Sequence, residues 1–96
     1  MPTASDMKGK GALVTGAASG LGRATAFALG RAGADVCIVD VNSAGLEETA
    51  SQLRALGTRA LVHATDLASR ENCLGAIAAA VEGFGRLDAL DRKSVV

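Results

Sequence analysis

Three glycines, Gly16, Gly20 and Gly22, fall within seven positions, directly after the apolar run Ala12-Leu13-Val14 and directly before a helix-period pattern. Strand, glycine turn, helix is an order that constrains both fold and chemistry. The first N–H groups of a helix have no partner inside it, and the helix dipole favours negative charge at that end. A diphosphate reaches those groups only where no side chain intervenes, which is what glycine supplies.

The rest of the chain repeats the alternation. Ala12 to Thr15 reads as a buried strand. The helix that follows carries an apolar stripe of Leu21, Ala24, Thr25, Ala28, Leu29 and Ala32, ended by Gly33. Asp35 to Asp40 is a second strand. Asn42 or Ser43 caps a second helix with the stripe Leu46, Thr49, Ala50 and Leu53, closed by Gly57. Ala60 to Ala64 is a third strand. Ser69 caps a third helix with the stripe Leu74, Ile77, Ala78 and Val81, broken by Gly83 and Gly85. Arg86 to Leu90 begins a fourth strand. Strands separated by helices must run parallel, joined by right-handed crossovers. The expected fold class is α/β: β-α-β-α-β-α-β, one half of a doubly wound parallel sheet.

Composition narrows the partners. The 96 residues carry zero formal net charge with the signs interspersed, so neither a nucleic-acid face nor a basic membrane anchor is expected. No apolar stretch is long enough to span a bilayer, and residues 1–6 have no secretory pattern. Cys37 and Cys73 lie far apart in apolar stretches and read as two reduced core thiols of a cytoplasmic protein. His63 is the single histidine, lacks metal-ligand spacing around it and is assigned no role.

The chemistry gathers on few residues. Gly16 permits the turn out of the strand, Gly20 lets a diphosphate approach the main chain, Gly22 lets the helix pack close, and Ser19 offers a hydroxyl. The spacing is G-x-x-x-G-x-G rather than the commoner G-x-G-x-x-G. Glycines alone suit a ligand-free turn equally well. Asp40 tips the reading, because it ends the second strand about 20 residues beyond the turn, where an acid accepts hydrogen bonds from the adenosine ribose. A 2′-phosphate would set roughly −1.5 to −2 charges against that carboxylate. No Lys or Arg stands nearby to offset them: Val41 and Asn42 follow Asp40, and Ala17 and Ala18 fill the turn. The expected cofactor is therefore NAD(H) rather than NADP(H). Asp66 and Leu67, just past the third strand, are placed to accept from the adenine amino group and to cover its ring, although an Asp before a helix also serves as a simple cap.

These residues resemble the short-chain dehydrogenase/reductase family. The matching pieces are Lys10 to Gly22, Asp40, Asp66-Leu67 and Phe84-Gly85-Arg86-Leu87-Asp88-Ala89-Leu90, covering about Lys8 to Leu90. The resemblance implies a Rossmann fold and an oxidoreductase that moves hydride between nicotinamide and an alcohol or carbonyl. It implies a cofactor site of Gly16, Ser19, Gly20, Leu21, Gly22, Asp40, Val41, Asp66 and Leu67, and a homo-oligomeric full-length parent. The family's catalytic Ser, Tyr-x-x-x-Lys pair and assisting Asn lie beyond the matching segment, so no catalytic residue is expected here, and the chain has no tyrosine. A catalytically silent NAD-binding or interaction module is the alternative reading.

After Leu90 the family continues Val-Asn-Asn-Ala-Gly, whereas this chain reads Asp91-Arg92-Lys93-Ser94-Val95-Val96. The codons GAT CGG AAG AGC GTC GTG TAG encode that string and a stop, and they match a common sequencing adapter. Residues 1–90 are thus expected to form the dinucleotide-binding unit of a truncated gene, with residues 91–96 a non-native tail.

Overall fold

The computed structural model describes residues 8–66 and 68–85, together with the main chain of 89–91. The elements run β1 (Gly11–Thr15), α1 (Gly20–Arg31), β2 (Asp35–Asp40), α2 (Ser43–Ala55), β3 (Ala60–Ala64), α3 (Arg70–Phe84) and β4 (Ala89–Asp91). The four strands form one sheet in the order β3-β2-β1-β4, and every pairing is parallel. Arg86, Leu87 and Asp88, expected to open the fourth strand, lie outside the described residues. Asp91, expected in the tail, aligns with Val14 as the last residue of β4.

Alternation along the strands builds two cores. Ala12, Val14, Val36, Ile38 and Ala60 face one way, into a cluster with Ala26 of α1 and Leu46, Ala50 and Leu53 of α2. Leu13, Cys37 and Val39 face the other way, against Ala76 and Ala80 of α3. All five residues of β1 are buried, as a central parallel strand requires. Chain order supplies the geometry of the crevice. β1, β2 and β3 step outward in one direction, and α3 then carries the chain back across the sheet to β4 on the far side of β1. The direction reverses at β1, and such a reversal leaves a crevice beyond the strands' carboxyl ends.

The stripe of α2 is as expected, with Leu46, Thr49, Ala50 and Leu53 all buried. Those of α1 and α3 are only partly so: Leu29 and Ile77 pack against the core and Ala32 is buried, as expected. The buried residues of α1 are Gly22 and Ala26, while Leu21 and Ala24 are exposed. In α3 they are Ala76 and Ala80, and Leu74, Ala78 and Val81 are exposed. The fully buried residues of both helices are small, with Phe27 and Leu29 of α1 and Ile77 and Phe84 of α3 packed half-buried beside them. A Cβ on Gly22 would overlap the Gly16 carbonyl, and one on Gly83 would overlap Leu61. Gly83 therefore lies inside α3 as a packing residue, and Gly85, with φ +81°, ends the helix in the left-handed region.

Candidate functional site: the glycine turn and its supports

The turn between β1 and α1 sits at the carboxyl end of the sheet. Gly16 (φ +66°) and Gly20 (φ +59°) both occupy the left-handed region that side chains disfavour. A Cβ built on Gly20 would meet nothing within 4 Å, so the space above that residue is open to a ligand. Gly22 instead packs against Gly16, which brings the helix close to the turn. Ser19 is the N-cap of α1 in extended conformation, and its hydroxyl makes no capping hydrogen bond. The first turn of α1 holds no acid that would occupy its N–H groups. Leu21 is 67% exposed beside it.

Two residues given no site role from the sequence hold the turn. Thr49 of α2, fully buried, donates through Oγ1 to the Ala17 carbonyl at 2.8 Å, with the Gly45 carbonyl also in reach at 3.1 Å. Arg23, one turn into α1, donates from Nε to Thr49 Oγ1 at 2.8 Å and from Nη2 to the Ala18 carbonyl at 2.5 Å. The same Nη2 lies 3.3 Å from the Gly45 carbonyl, and Nη1 lies 3.4 Å from Glu48 Oε1. The Ala17 N–H donates to the Val39 carbonyl at 3.2 Å, tying the turn to β2. The sequence shows one clue to Arg23: a cation in a helix's first turn opposes the dipole and calls for a compensating task.

Asp40 ends β2 and faces this turn. Its Oδ2 accepts from the Ala18 N–H at 3.1 Å, and its Oδ1 accepts from the N–H groups of Val41 (2.7 Å) and Asn42 (3.2 Å). The carboxylate thus joins the two loops that border the crevice. Arg23 also reaches this turn, donating to the carbonyl of Ala18, the residue whose N–H Asp40 accepts. Val41 is 67% exposed next to Asp40. Asn42 caps α2, accepting from the Gly45 N–H at 3.0 Å.

Asp66 lies farther along the same strand ends. Its Oδ1 accepts from the Ala68 N–H at 2.9 Å, and its carbonyl accepts from Asn72 Nδ2 at 2.6 Å. The side chain therefore shapes the β3–α3 loop, while Ser69 caps α3 through Asn72. Leu67 lies outside the described residues. His63 stands half-buried in β3, in register with Val39 of β2. Neither Cys37 nor Cys73 is in a disulfide, and burial pushes the Cys37 thiol up to about 11. Among the described residues no group of three or more His, Cys, Asp or Glu is placed to hold a metal, and no helix is long and apolar enough to cross a membrane.

Residues 10–92 match the family model described as short chain dehydrogenase. The chain is 43% identical over 83 residues to the short chain dehydrogenase/reductase astE of Aspergillus oryzae, covering 85% of this chain and 32% of that one. A short chain dehydrogenase/reductase from Burkholderia phymatum, solved in complex with NAD, superimposes with a TM-score of 0.84 at 34% identity, covering 88% of this chain and 30% of that one. A metagenomic short-chain oxidoreductase solved with NADP gives 0.81 at 32% identity, covering 88% and 38%. The chain spans about a third of the length of the curated relatives it matches.

Proposed function

The chain belongs to the short-chain dehydrogenase family, and from that premise we propose that it is the NAD(H)-binding part of an oxidoreductase acting on an alcohol or carbonyl substrate. The observation that carries this reading is the open space over Gly20 at the head of α1, flanked by a carboxylate at the end of β2. The bound nicotinamide would supply hydride exchange; this chain's residues bind and orient.

Each residue has a share of that work. Gly16, Ser19, Gly20, Leu21 and Gly22 form the diphosphate seat, with main-chain N–H groups as donors and the Ser19 hydroxyl beside them. Asp40 accepts from the adenosine ribose through the lone pairs that its three main-chain bonds leave over. Val41 and Leu67 cover apolar parts of the adenine end, and Asp66 accepts from the adenine amino group. Solved relatives carry either cofactor, so the preference for NAD(H) rests on Asp40, whose charge opposes a 2′-phosphate. A cytoplasmic setting is part of this proposal.

Residues 1–90 are the binding unit in this proposal, and catalysis belongs to a longer, oligomeric parent. Calorimetric titration of the 96-residue chain with NAD and with NADP tests it. NAD is expected to bind, and NADP about tenfold or more weakly. Binding of neither nucleotide would defeat the proposal.

A further inference from the structure

We propose that Arg23 and Thr49 are positioning residues that hold the glycine loop's carbonyl oxygens away from a bound diphosphate; the proposal rests on the nucleotide-binding reading above. A loop at a helix N-terminus presents carbonyl oxygens as well as N–H groups, and a carbonyl facing the ligand would repel it. Two carbonyls of this loop, Ala17 and Ala18, are held by other groups. The Ala17 oxygen accepts from the buried Thr49 hydroxyl, and the Ala18 oxygen accepts from Arg23 Nη2.

In a trans peptide the C=O and N–H point in opposite directions. Holding the Ala18 carbonyl therefore aims the Ser19 N–H away from Arg23, and holding the Ala17 carbonyl aims the Ala18 N–H away from Thr49. The Ala18 N–H goes to Asp40, so the donor this arrangement orients for a diphosphate is the Ser19 N–H behind the Ala18 carbonyl. Arg23 and Thr49 are also joined to each other through Nε and Oγ1 at 2.8 Å, so the two supports form one unit spanning α1 and α2.

The cost of this arrangement argues that it has a task. Arg23 places a cation near the start of α1, whose first turn holds no acid of its own. Its side chain is only 23% exposed, and its Glu48 partner is distant at 3.4 Å and 63% exposed. The short contacts are those to Thr49 and to the loop. A lysine would offer a point charge without the planar fork that serves both at once.

Titrations of the 96-residue chain with NAD and with adenosine, which lacks any phosphate, separate positioning from general damage. Arg23→Met is expected to weaken NAD about tenfold while leaving adenosine within about twofold, and Thr49→Val, which also loosens the Ala18 N–H that Asp40 accepts, to weaken NAD clearly more than adenosine. Thr49→Ser keeps the hydroxyl and is expected to retain NAD affinity, and Arg23→Lys to recover it only in part. Equal weakening of both ligands, or none of NAD, overturns the proposal. Should the variants fail to fold, the unaltered chain still decides by nuclear magnetic resonance. The Arg23 Nε–H is expected to be protected from exchange, and the Ser19 and Gly20 amides to shift when NAD is added. Rapid exchange of that Nε–H overturns the clamp. Wild-type chain that binds neither NAD nor adenosine overturns the nucleotide-binding reading itself, and this proposal with it.

Discussion

Arg23 and Asp40 hold the two main-chain polar atoms of the same residue: the guanidinium donates to the Ala18 carbonyl at 2.5 Å, and the carboxylate accepts from the Ala18 N–H at 3.1 Å. They reach it from different elements, α1 and the end of β2. Side chains 17 positions apart in sequence thus fix one point of the glycine turn, and the turn is built rather than slack.

Gly20 and Gly22 should separate function from stability. Gly20→Ala meets open space but must hold a left-handed φ, at roughly 1–2 kcal/mol. It should fold, and it should bind NAD far more weakly, because the new methyl stands over the seat. Gly22→Ala forces a Cβ into the Gly16 carbonyl and should destabilise by roughly 1–3 kcal/mol or more. Urea titration alongside calorimetry checks both.

Replacing Asp40 by Ala and Val41 by Arg together should invert the nucleotide preference. The like charge opposing a 2′-phosphate is removed and a guanidinium is supplied. The measurement is the ratio of NADP to NAD dissociation constants, which should fall by about tenfold or more. An unchanged ratio would deny Asp40 its assigned role.

The helix caps give a matched pair. Ser69 accepts from the Asn72 N–H at 3.0 Å, so Ser69→Ala should cost about 1 kcal/mol. Ser19 makes no such bond, so Ser19→Ala should leave the melting midpoint of the unliganded chain nearly unmoved. Its effect should appear only with nucleotide present.

Cys37 should resist alkylation at pH 8, where its raised pKa leaves little thiolate, while the half-buried Cys73 is labelled first. The folded thiol keeps its proton up to about 11, against 9.0 for the ordinary group. Between those values the unfolded chain loses the proton first. Stability held below pH 9 should accordingly decline as the pH rises toward 11, as denaturant midpoints measured across that window would show.

Leu53→Ala and Leu74→Ala test the assignment of the helix faces. Leu53 is fully buried and its truncation should cost about 2–5 kcal/mol. Leu74 is 56% exposed, and its truncation should stay within about 0.5 kcal/mol.

Legibility in the sequence followed side-chain size. β2 runs from Asp35 to Asp40 as read, and α2 buries the four residues expected, because Glu47, Glu48 and Arg54 border the stripe and set its phase. α1 and α3 were misphased for the opposite reason. Their fully buried residues are Gly22, Ala26, Ala76 and Ala80, which carry little hydrophobic signal; Leu29 and Ile77 of the expected stripes do pack inward, while Leu21, Leu74 and Val81 drew the stripe outward. The site's glycines and Asp40 were legible from spacing. Arg23 and Thr49 were not, because their role exists only once α1 and α2 lie side by side. Thr49 was read as core, and it is buried, but its hydroxyl rather than its methyl serves the turn.

The unequal filling of the two sheet faces bears on the order in which the molecule assembles. The stretch from β1 to β3 joins elements that neighbour each other in the chain, and large side chains such as Leu46 and Leu53 seal it. α3 is held by the fully buried alanines Ala76 and Ala80 and by the half-buried Ile77 and Phe84, and it must bring β4 past two strands already laid down. Closing that longer excursion carries entropy that fewer methylenes offset. The α3–β4 segment should therefore dock last and detach first, leaving a three-stranded nucleus with the glycine turn already shaped.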